Sequence, residues 1–401
     1  MTHKFGILLL AAAALSGCAA TVKYGAVPHS QFASDPRCAN DPAQSAAIEP
    51  VSDKLFFATS RLPDCRAPNI VMTNFRSPRV LFGRFALVAD STKKSKKPIE
   101  RISVDISGEA GWWSALEAKA AAHRGRVLVY VHGFRETFES SSKSAIQIQR
   151  LTEFAGPVIE YSWPSQGRLL GYLVDETNVH WDEANFRRFL SKLATQPWVK
   201  EIVLVSHSMG ARLVLPAVEF VDRTSSNADA SNISNIILAS PDIDKEDFER
   251  NITEEILSAR RVNNDRRITI YSSRRDSALS ISQRLHGYPR LGSPYCFSPF
   301  EAAALKAKGL PVRCYAAKSA YDVPPQKSGL TIIDTTDVSK TGSGHSDFLT
   351  SAPTCADFKA VAGGEVDRKA GRVATNLSYV FALNSPANLT KAQQNMLCRV
   401  P

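Results

Sequence analysis

The sequence predicts an α/β fold with a doubly wound, mostly parallel sheet and helices on both of its faces. Short, continuous apolar runs recur along the chain, as is typical of strands buried on both faces of a sheet. Amphipathic segments of helical length lie between these runs, in regular alternation. A parallel connection needs a helix to cover the sheet, so this alternation favours a parallel arrangement.

The predicted strands follow one another from residue 55 to residue 334. The first two, which are rich in Phe, Val and Leu, are Leu55–Ser60 and Arg79–Val88. The others are Arg126–Val131, Pro157–Tyr161, Glu201–Val205, Ile233–Ala239, Ile268–Ser272 and Leu330–Asp334. The predicted helices between them include Ser140–Phe154, Asp182–Leu193, Met209–Val221 and Lys245–Leu257.

The N-terminus has the pattern of an export signal. Lys4 precedes an apolar run from Phe5 to Leu15, which is too short to cross a bilayer, and the sequence Leu-Ser-Gly-Cys ends at Cys18. This ending resembles the lipobox of bacterial lipoproteins, which implies that Cys18 becomes the first residue and carries the lipid. Ala19 after the cysteine implies sorting to the outer membrane, facing the periplasm. An ordinary signal peptide with an incidental cysteine is the alternative.

These features divide the chain into three parts. We predict a lipoprotein signal over residues 1–18, a flexible tether over 19–50, where no apolar period is present, and one domain with insertions over 51–401. The formal net charge is +10, and its densest cluster is Lys93–Lys97. We expect a solvated loop there, with contact to anionic headgroups as the alternative, and no nucleic-acid motif accompanies it.

The cysteines after Cys18 predict disulfides. There are six of them, an even number that favours up to three bridges in an exported protein. We expect neighbours in the sequence to pair, above all Cys296 with Cys314. Free buried thiols are the alternative.

A nucleophile elbow is predicted at residues 204–210. The sequence there is LVSHSMG, in which Ser208 follows an apolar strand and precedes a helix. The pattern G-x-S-x-G lifts the serine hydroxyl above the end of a sheet, and small flanking residues let the backbones approach. Ser206 replaces the first glycine, which is a tolerable change because serine is small.

Ser208 needs a base and an acid from elsewhere in the chain, because a serine hydroxyl is a weak nucleophile by itself. His345 lies in a glycine-rich turn after the last predicted strand, and Asp276 lies just beyond the strand Ile268–Ser272. In hydrolases with such an elbow the order along the chain is Ser, Asp, His. We therefore predict Ser208, Asp276 and His345 as the catalytic residues, with Asp242 as the alternative acid.

Backbone N–H groups must stabilise the oxyanion that forms during acyl transfer. We predict the N–H of Met209, which follows the nucleophile, and the N–H of Phe134, in the loop after strand Arg126–Val131. A tight turn is the simpler explanation of His132 and Gly133, and both can hold.

Several segments together resemble a bacterial α/β-hydrolase family of unknown function. They read VHGF from Val131, SWPS from Ser162, HSMG from His207, PDID from Pro241, RLG from Arg290 and GHS from Gly344. The resemblance spans about Leu55 to Thr350, and it implies the fold and supports the three positions. The chain departs from the family at Ser206, where Ala or Gly is usual, and at Asp347, where an aromatic residue is frequent. A carboxylate at 347 is expected to alter the pKa of His345.

The combined expectation is a lipid-anchored serine hydrolase of the cell envelope that cleaves lipidic or other carboxylic esters. An acyltransferase and a non-catalytic scaffold are the alternatives. Trp163–Trp181, which contains Leu169, Leu170 and Leu173, is expected to form a lid or an apolar wall for an acyl group, with ordinary packing as the alternative. No metal or cofactor is expected, and the oligomeric state is left open.

Overall fold

A computed structural model of the chain describes most of the predicted domain. The described residues are 54–65, 69–89, 100–224, 232–252, 256, 266–293, 307, 329–339, 344–365, 370–375, 379–384 and 389–399. The predicted signal, Cys18, the tether, Lys93–Lys97, Cys296 and Cys314 lie outside these residues.

One sheet of eleven strands forms the centre of the molecule. Its order is β10-β11-β9-β8-β7-β6-β4-β5-β1-β2-β3. The strands are β1 Leu55–Asp64, β2 Val71–Ala89, β3 Glu100–Ser107, β4 Arg126–Val131, β5 Val158–Ser162, β6 Glu201–His207, β7 Ile233–Ala239, β8 Arg267–Ser272, β9 Leu330–Asp334, β10 Arg372–Ala374 and β11 Val380–Leu383. Neighbours from β11 through β1 are parallel, and the outer pairs β10–β11, β1–β2 and β2–β3 are antiparallel.

Helices connect the parallel strands and cover the sheet. They are α1 Glu109–Ala121, α2 Phe138–Thr152, α3 Tyr172–Ala194, α4 Ala211–Thr224, α5 Lys245–Asp247, α6 Ser277–His286, α7 Asp347–Thr350, α8 Ala352–Ala362 and α9 Lys391–Leu397. Short 3-10 helices at Leu169–Gly171 and Ser208–Gly210 precede α3 and α4.

Alternate residues of the central strands pack into two separate cores, one on each face of the sheet. Val127 and Val129 of β4 join one core with α1, α3 and α4, whereas Leu128 and Tyr130 join the other with α2 and α8. Continuous apolar runs are required because each strand is buried on both faces. The predicted doubly wound, mostly parallel α/β fold is confirmed.

One predicted helix differs in type. Lys245–Leu257 was expected to be helical, and in its first part α5 ends at Asp247 and continues as a π-helix over Phe248–Ile252. An i→i+5 turn displaces the side chains that follow it from the 3.6-residue period. The amphipathic pattern alone does not reveal this displacement.

A disulfide joins Cys355 of α8 to Cys398, directly after α9. The two cysteines are 43 residues apart, so the cross-link restricts a long loop of the unfolded chain and contributes about 4 kcal/mol of stability. This pair agrees with the expected pairing of sequence neighbours, and Cys65 is disulfide-bonded as well. Within the described residues, every helix is too short or too polar to span a bilayer.

Candidate active site

Ser208 lies at a sharp turn between β6 and α4. It follows His207, the last residue of β6, and begins the 3-10 helix that leads into α4. Its φ angle is 52°, in the left-handed region that residues other than glycine rarely adopt. The unfavourable conformation places the side chain at the carboxyl end of the parallel sheet, where the ends of β4, β7 and β8 also lie.

Two glycines allow the loop after β4 to reach the Ser208 turn. A Cβ atom on Gly133 would lie 2.7 Å from the Cβ of Ser208, and one on Gly210 would lie 2.6 Å from the carbonyl oxygen of His132. Real Cβ atoms do not approach other heavy atoms so closely, so any side chain at either position would force the two segments apart. The glycines of VHGF and HSMG thus have one shared purpose, which is to bring these segments into contact.

His345 and Asp276 are in direct contact. His345 Nδ1 lies 2.7 Å from Asp276 Oδ2, the aspartate is buried, and the histidine side chain is 16% exposed. With Nδ1 held by the carboxylate, Nε2 is the ring nitrogen left for a substrate or nucleophile. Among the described residues no hydrogen bond joins this ring to the Ser208 hydroxyl, and such bonds often form only when a substrate is present.

Charges around His345 favour its protonated form. Burial alone would lower the pKa of the imidazole, but the Asp276 carboxylate, and after it Asp242 and Glu136, raise the pKa above its ordinary value of 6.5. The expected effect of Asp347 is not among these contributions. The residue is buried at the beginning of α7.

The residue before Ser208 supports the histidine loop. His207 Nε2 donates to the carbonyl oxygen of His345 at 2.9 Å, and its ring packs 5.2 Å from that of Phe348, centroid to centroid. Burial, together with the nearby His345, lowers the pKa of His207 to about 3, so this ring is neutral. The Ser208 turn and the loop of His345 are therefore held together through His207.

The predicted oxyanion donors also lie beside Ser208. Met209 is the second residue of the turn that begins α4, where the first N–H groups have no acceptor within the helix. Phe134 follows Gly133, whose backbone is packed against Ser208. Both residues therefore belong to segments next to Ser208, and their role as oxyanion donors stays a prediction.

Comparison with protein families agrees with this geometry. A family model described as "Alpha/beta hydrolase of unknown function (DUF900)" matches residues 113–352. The chain belongs to this α/β-hydrolase family. The match includes Ser208, Asp276 and His345 and covers most of the region in which the sequence resembles such a family. A search of curated proteins finds no match.

Asp242, the alternative acid, has other partners in this α/β-hydrolase. It accepts hydrogen bonds from Arg290 Nε at 2.8 Å, Ser282 Oγ at 2.6 Å, Tyr172 Oη at 2.5 Å and Arg212 Nη2 at 3.2 Å. Burial would raise the pKa of Asp242, but Arg212 and Arg290 hold it below its usual value. The Asp242 backbone N–H donates to the Ser208 carbonyl oxygen at 3.1 Å, so Asp242 helps to hold the Ser208 turn in place.

The family motif at residues 290–292 fixes the ends of two strands. Arg290 pairs with Asp242, the Gly292 N–H donates to Pro241, and the Gly292 carbonyl accepts from the Ser273 N–H. The residues after β7 and after β8 are thereby linked to each other. The link matters because Asp276 stands only three residues beyond Ser273.

Arg61 was not predicted from the sequence, and its side chain holds the loop after β4 in place. This buried side chain donates to the Glu136 carbonyl oxygen at 2.8 Å, to the Ser165 carbonyl oxygen at 3.0 Å and to His132 Nε2 at 3.4 Å. Burial lowers the pKa of the Arg61 guanidinium to about 10, although nearby carboxylates oppose the shift. The sequence shows only that an arginine directly follows the predicted strand Leu55–Ser60, which does not indicate the loops that it binds.

The segment expected to form a lid takes a different form. Trp163 is buried and stacks on His132, with a centroid distance of 5.0 Å, and the chain from Tyr172 onwards is the first part of α3. Leu169, Leu170 and Leu173 are exposed to solvent.

Among the described residues, no group of three or more His, Cys, Asp or Glu is placed to hold a metal ion.

Proposed function

We propose that this α/β-hydrolase is a serine hydrolase that cleaves carboxylic esters through an acyl-enzyme. The observation that carries the proposal is the 2.7 Å contact between His345 and Asp276, in a loop tied to the turn that presents Ser208. A strained serine, an imidazole and a buried carboxylate at one sheet edge are the groups that acyl transfer requires.

The reaction begins when His345 Nε2 takes the Ser208 proton and the serine oxygen attacks the ester carbonyl carbon. The carbonyl oxygen becomes an oxyanion, which the N–H groups of Met209 and Phe134 stabilise. His345 then gives its proton to the leaving alcohol as the carbon–oxygen bond breaks, and an acyl group remains on Ser208. Water, deprotonated by His345, releases this acyl group as a carboxylic acid and restores the serine.

The substrate that we propose is a lipidic or cell-envelope ester. A lipid on Cys18 would hold the enzyme at a membrane, on the periplasmic side of the outer membrane. Metabolic labelling with a radioactive fatty acid tests this anchor: the wild type should incorporate the label, and Cys18→Ser should not. A wild type that remains unlabelled would contradict a lipid on Cys18.

A fluorophosphonate probe tests the proposed nucleophile. The wild type should become covalently labelled, and Ser208→Ala should lose all labelling because the probe reacts only with an activated serine. Ser206→Ala is the matched control: it removes a buried hydroxyl two residues away that has no hydrogen-bond partner among the described residues, and it should label like the wild type. Labelling that survives in Ser208→Ala would exclude this serine.

Product analysis separates hydrolysis from the alternatives. A hydrolase gives the free acid whether or not an alcohol or amine acceptor is added, whereas an acyltransferase gives a new ester or amide with the acceptor. A protein that neither labels nor turns over esters of graded chain length would be a scaffold.

A further inference from the structure

Six large apolar side chains are exposed beside the candidate active site. Leu170 is 95% exposed, Leu169 and Leu173 are 64% and 66% exposed, and more than half of each side chain of Ile281, Leu285 and Tyr288 is in contact with solvent. We call these six residues the apolar crest. Contiguous exposed apolar surface is unusual on a soluble protein and marks a contact with a partner or a membrane.

The two halves of the apolar crest are joined by contacts between α3 and α6. Tyr172 Oη lies 3.0 Å from Ser282 Oγ, and Glu176 Oε1 lies 2.9 Å from His286 Nε2. Leu173 adjoins Tyr172, while Ile281 and Leu285 directly precede Ser282 and His286 and share one side of α6. The exposed apolar residues of the two halves therefore lie on two elements that are in direct contact.

The apolar crest lies at the edge of the site. The Tyr172 ring packs 5.2 Å from the Phe134 ring, centroid to centroid, and Phe134 is in the loop against Ser208. The Tyr172 hydroxyl also donates to Asp242, whose N–H bonds the Ser208 backbone. The apolar crest therefore lies on elements that pack against the loop and the turn of the candidate site.

The charged residues nearest in sequence to the leucines of the apolar crest are positive. Exposed Arg168 adjoins Leu169, exposed Arg284 adjoins Leu285, and neither residues 164–174 nor residues 277–293 contain an Asp or Glu. Acidic groups adjoin the Tyr288 end, because exposed Glu246 follows Lys245, whose N–H donates to the Pro289 carbonyl oxygen. Glu176 is the first acidic residue after Leu173 in the sequence that is not buried, and it pairs with Arg212 and His286. Cations beside apolar side chains fit a layer of acyl chains beneath anionic headgroups.

We propose that the apolar crest docks on a lipid bilayer that contains anionic lipids and so places the mouth of the site at the membrane surface. A leucine that is almost entirely exposed projects far enough to insert between acyl chains, and the flanking arginines reach the headgroups. Docking in this position would make an ester of a membrane lipid the substrate. This conclusion about the substrate rests on the proposed function, whereas the docking itself does not.

The test is vesicle sedimentation with the predicted mature chain, residues 18–401 carrying Cys18→Ser, so that neither a lipid on residue 18 nor the apolar run Phe5–Leu15 contributes. Leu170→Ser/Leu173→Ser should weaken binding to vesicles of phosphatidylcholine and phosphatidylglycerol by about 100-fold, because two leucines lose their favourable burial. Val71→Ser/Met396→Ser, which removes two apolar residues that are exposed elsewhere, is the matched control and should bind like the parent. Every variant keeps the same N-terminus, so only the differences between them count.

Charge reversal tests the electrostatic part of the proposal. Arg284→Glu should weaken binding to the anionic vesicles by about tenfold, and much less to vesicles of phosphatidylcholine alone. Leu170→Ser/Leu173→Ser is the crest variant, and the Cys18→Ser chain is its parent. Equal vesicle binding by these two proteins would overturn docking. A parent that is dimeric in light scattering, and becomes monomeric in the crest variant without any change in vesicle binding, would assign the surface to a second copy instead.

Ser208→Ala should bind vesicles like the parent, so docking is measured independently of catalysis. Loss of vesicle binding in the crest variant, combined with absence of fluorophosphonate labelling in the wild type, would leave the docking surface in place and remove only the lipid-ester substrate.

Discussion

Asp276 uses its two carboxylate oxygens for different purposes. Oδ1 accepts the Leu279 N–H at 2.9 Å and caps α6, while Oδ2 contacts His345. A helix cap and a catalytic acid are the two roles that such a position can have, and here one side chain meets the geometric needs of both. The cap also fixes the orientation of the carboxylate toward the imidazole.

Asp276→Asn should separate these two roles. Asparagine is a good N-cap, so the fold should be retained, but the neutral amide removes the charge that favours protonated His345. We expect kcat/KM to fall by about 10⁴-fold. Because activity needs neutral His345, the wild-type rate should rise with pH through a midpoint above 6.5, and the midpoint should lie lower in the variant.

The measurement is the pH profile of kcat/KM on a soluble ester, with circular dichroism as the check on folding. An Asp242→Asn variant that stays folded and loses more activity than Asp276→Asn, or an unchanged midpoint in Asp276→Asn, would contradict the assignment.

The candidate catalytic residues could be predicted from the sequence, but the residues that hold them in position could not. The elbow pattern predicts Ser208, the turn after the last strand predicts His345, and the carboxyl end of a strand predicts Asp276; the structure places Asp276 against His345. Arg61 could not be recognised in this way, because its role is to bind carbonyl groups that come from distant loops. The ties of His207 to the His345 loop likewise depend on tertiary contacts.

At the scale of elements, the 290–293 segment acts as a link across the sheet edge. A Cβ atom on Gly292 would lie 2.5 Å from the Ser240 carbonyl carbon and 2.6 Å from the Pro241 nitrogen, both of which are backbone atoms. The backbone has no flexible side-chain end to move away, so a larger residue must displace the link. The turns after β7 and β8 would move with it.

Gly292→Ala should lower the free energy of unfolding by about 2 kcal/mol through this overpacking. Gly363→Ala is the control, because its Cβ would meet nothing closer than 3.3 Å and its φ angle is −73°. There the substitution should change the free energy of unfolding by no more than about 0.5 kcal/mol, since the restriction that alanine places on the unfolded chain offsets the close contact. Urea unfolding measures both; similar values for the two variants would show that the link can move freely.

Elements were predictable where burial imposes a strong pattern. All eight predicted strands are present, because strands covered on both faces must be continuously apolar. Those missed are the edge strand β3 and the short strands β10 and β11, which carry little pattern. Helix α1 was missed because Trp112, Leu116 and Ala120 form only a narrow buried stripe in an alanine-rich segment.

At the scale of the whole molecule, the two cores contain carboxyl groups as well as apolar side chains. Glu160 of β5 is buried and accepts hydrogen bonds from Ser141 and, at 2.7 Å, from Ser142 of α2. Burial raises its pKa to about 7, although the serines and Arg61 oppose this shift. The folded protein therefore binds a proton at a pH where the unfolded chain does not.

This difference predicts how stability depends on pH. The contribution of protonated Glu160 is fully present below pH 4.5, the ordinary pKa, and is lost as the pH rises through 7. Glu160→Gln removes it. The stability of the wild type relative to the variant should therefore increase by about 3 kcal/mol from pH 8 to pH 4.5. Urea unfolding across this range, with exposed Glu117→Gln as the control, tests it; a constant difference would contradict the shifted pKa.

The left-handed backbone at residue 208 sets two selective pressures against each other. Glycine adopts positive φ without steric conflict, so a chain optimised only for folding would carry glycine there and gain stability. Keeping a serine at this turn makes the protein slightly less stable than its own architecture permits. A descendant that no longer needed the hydroxyl would be free to replace it, and would fold better for having done so.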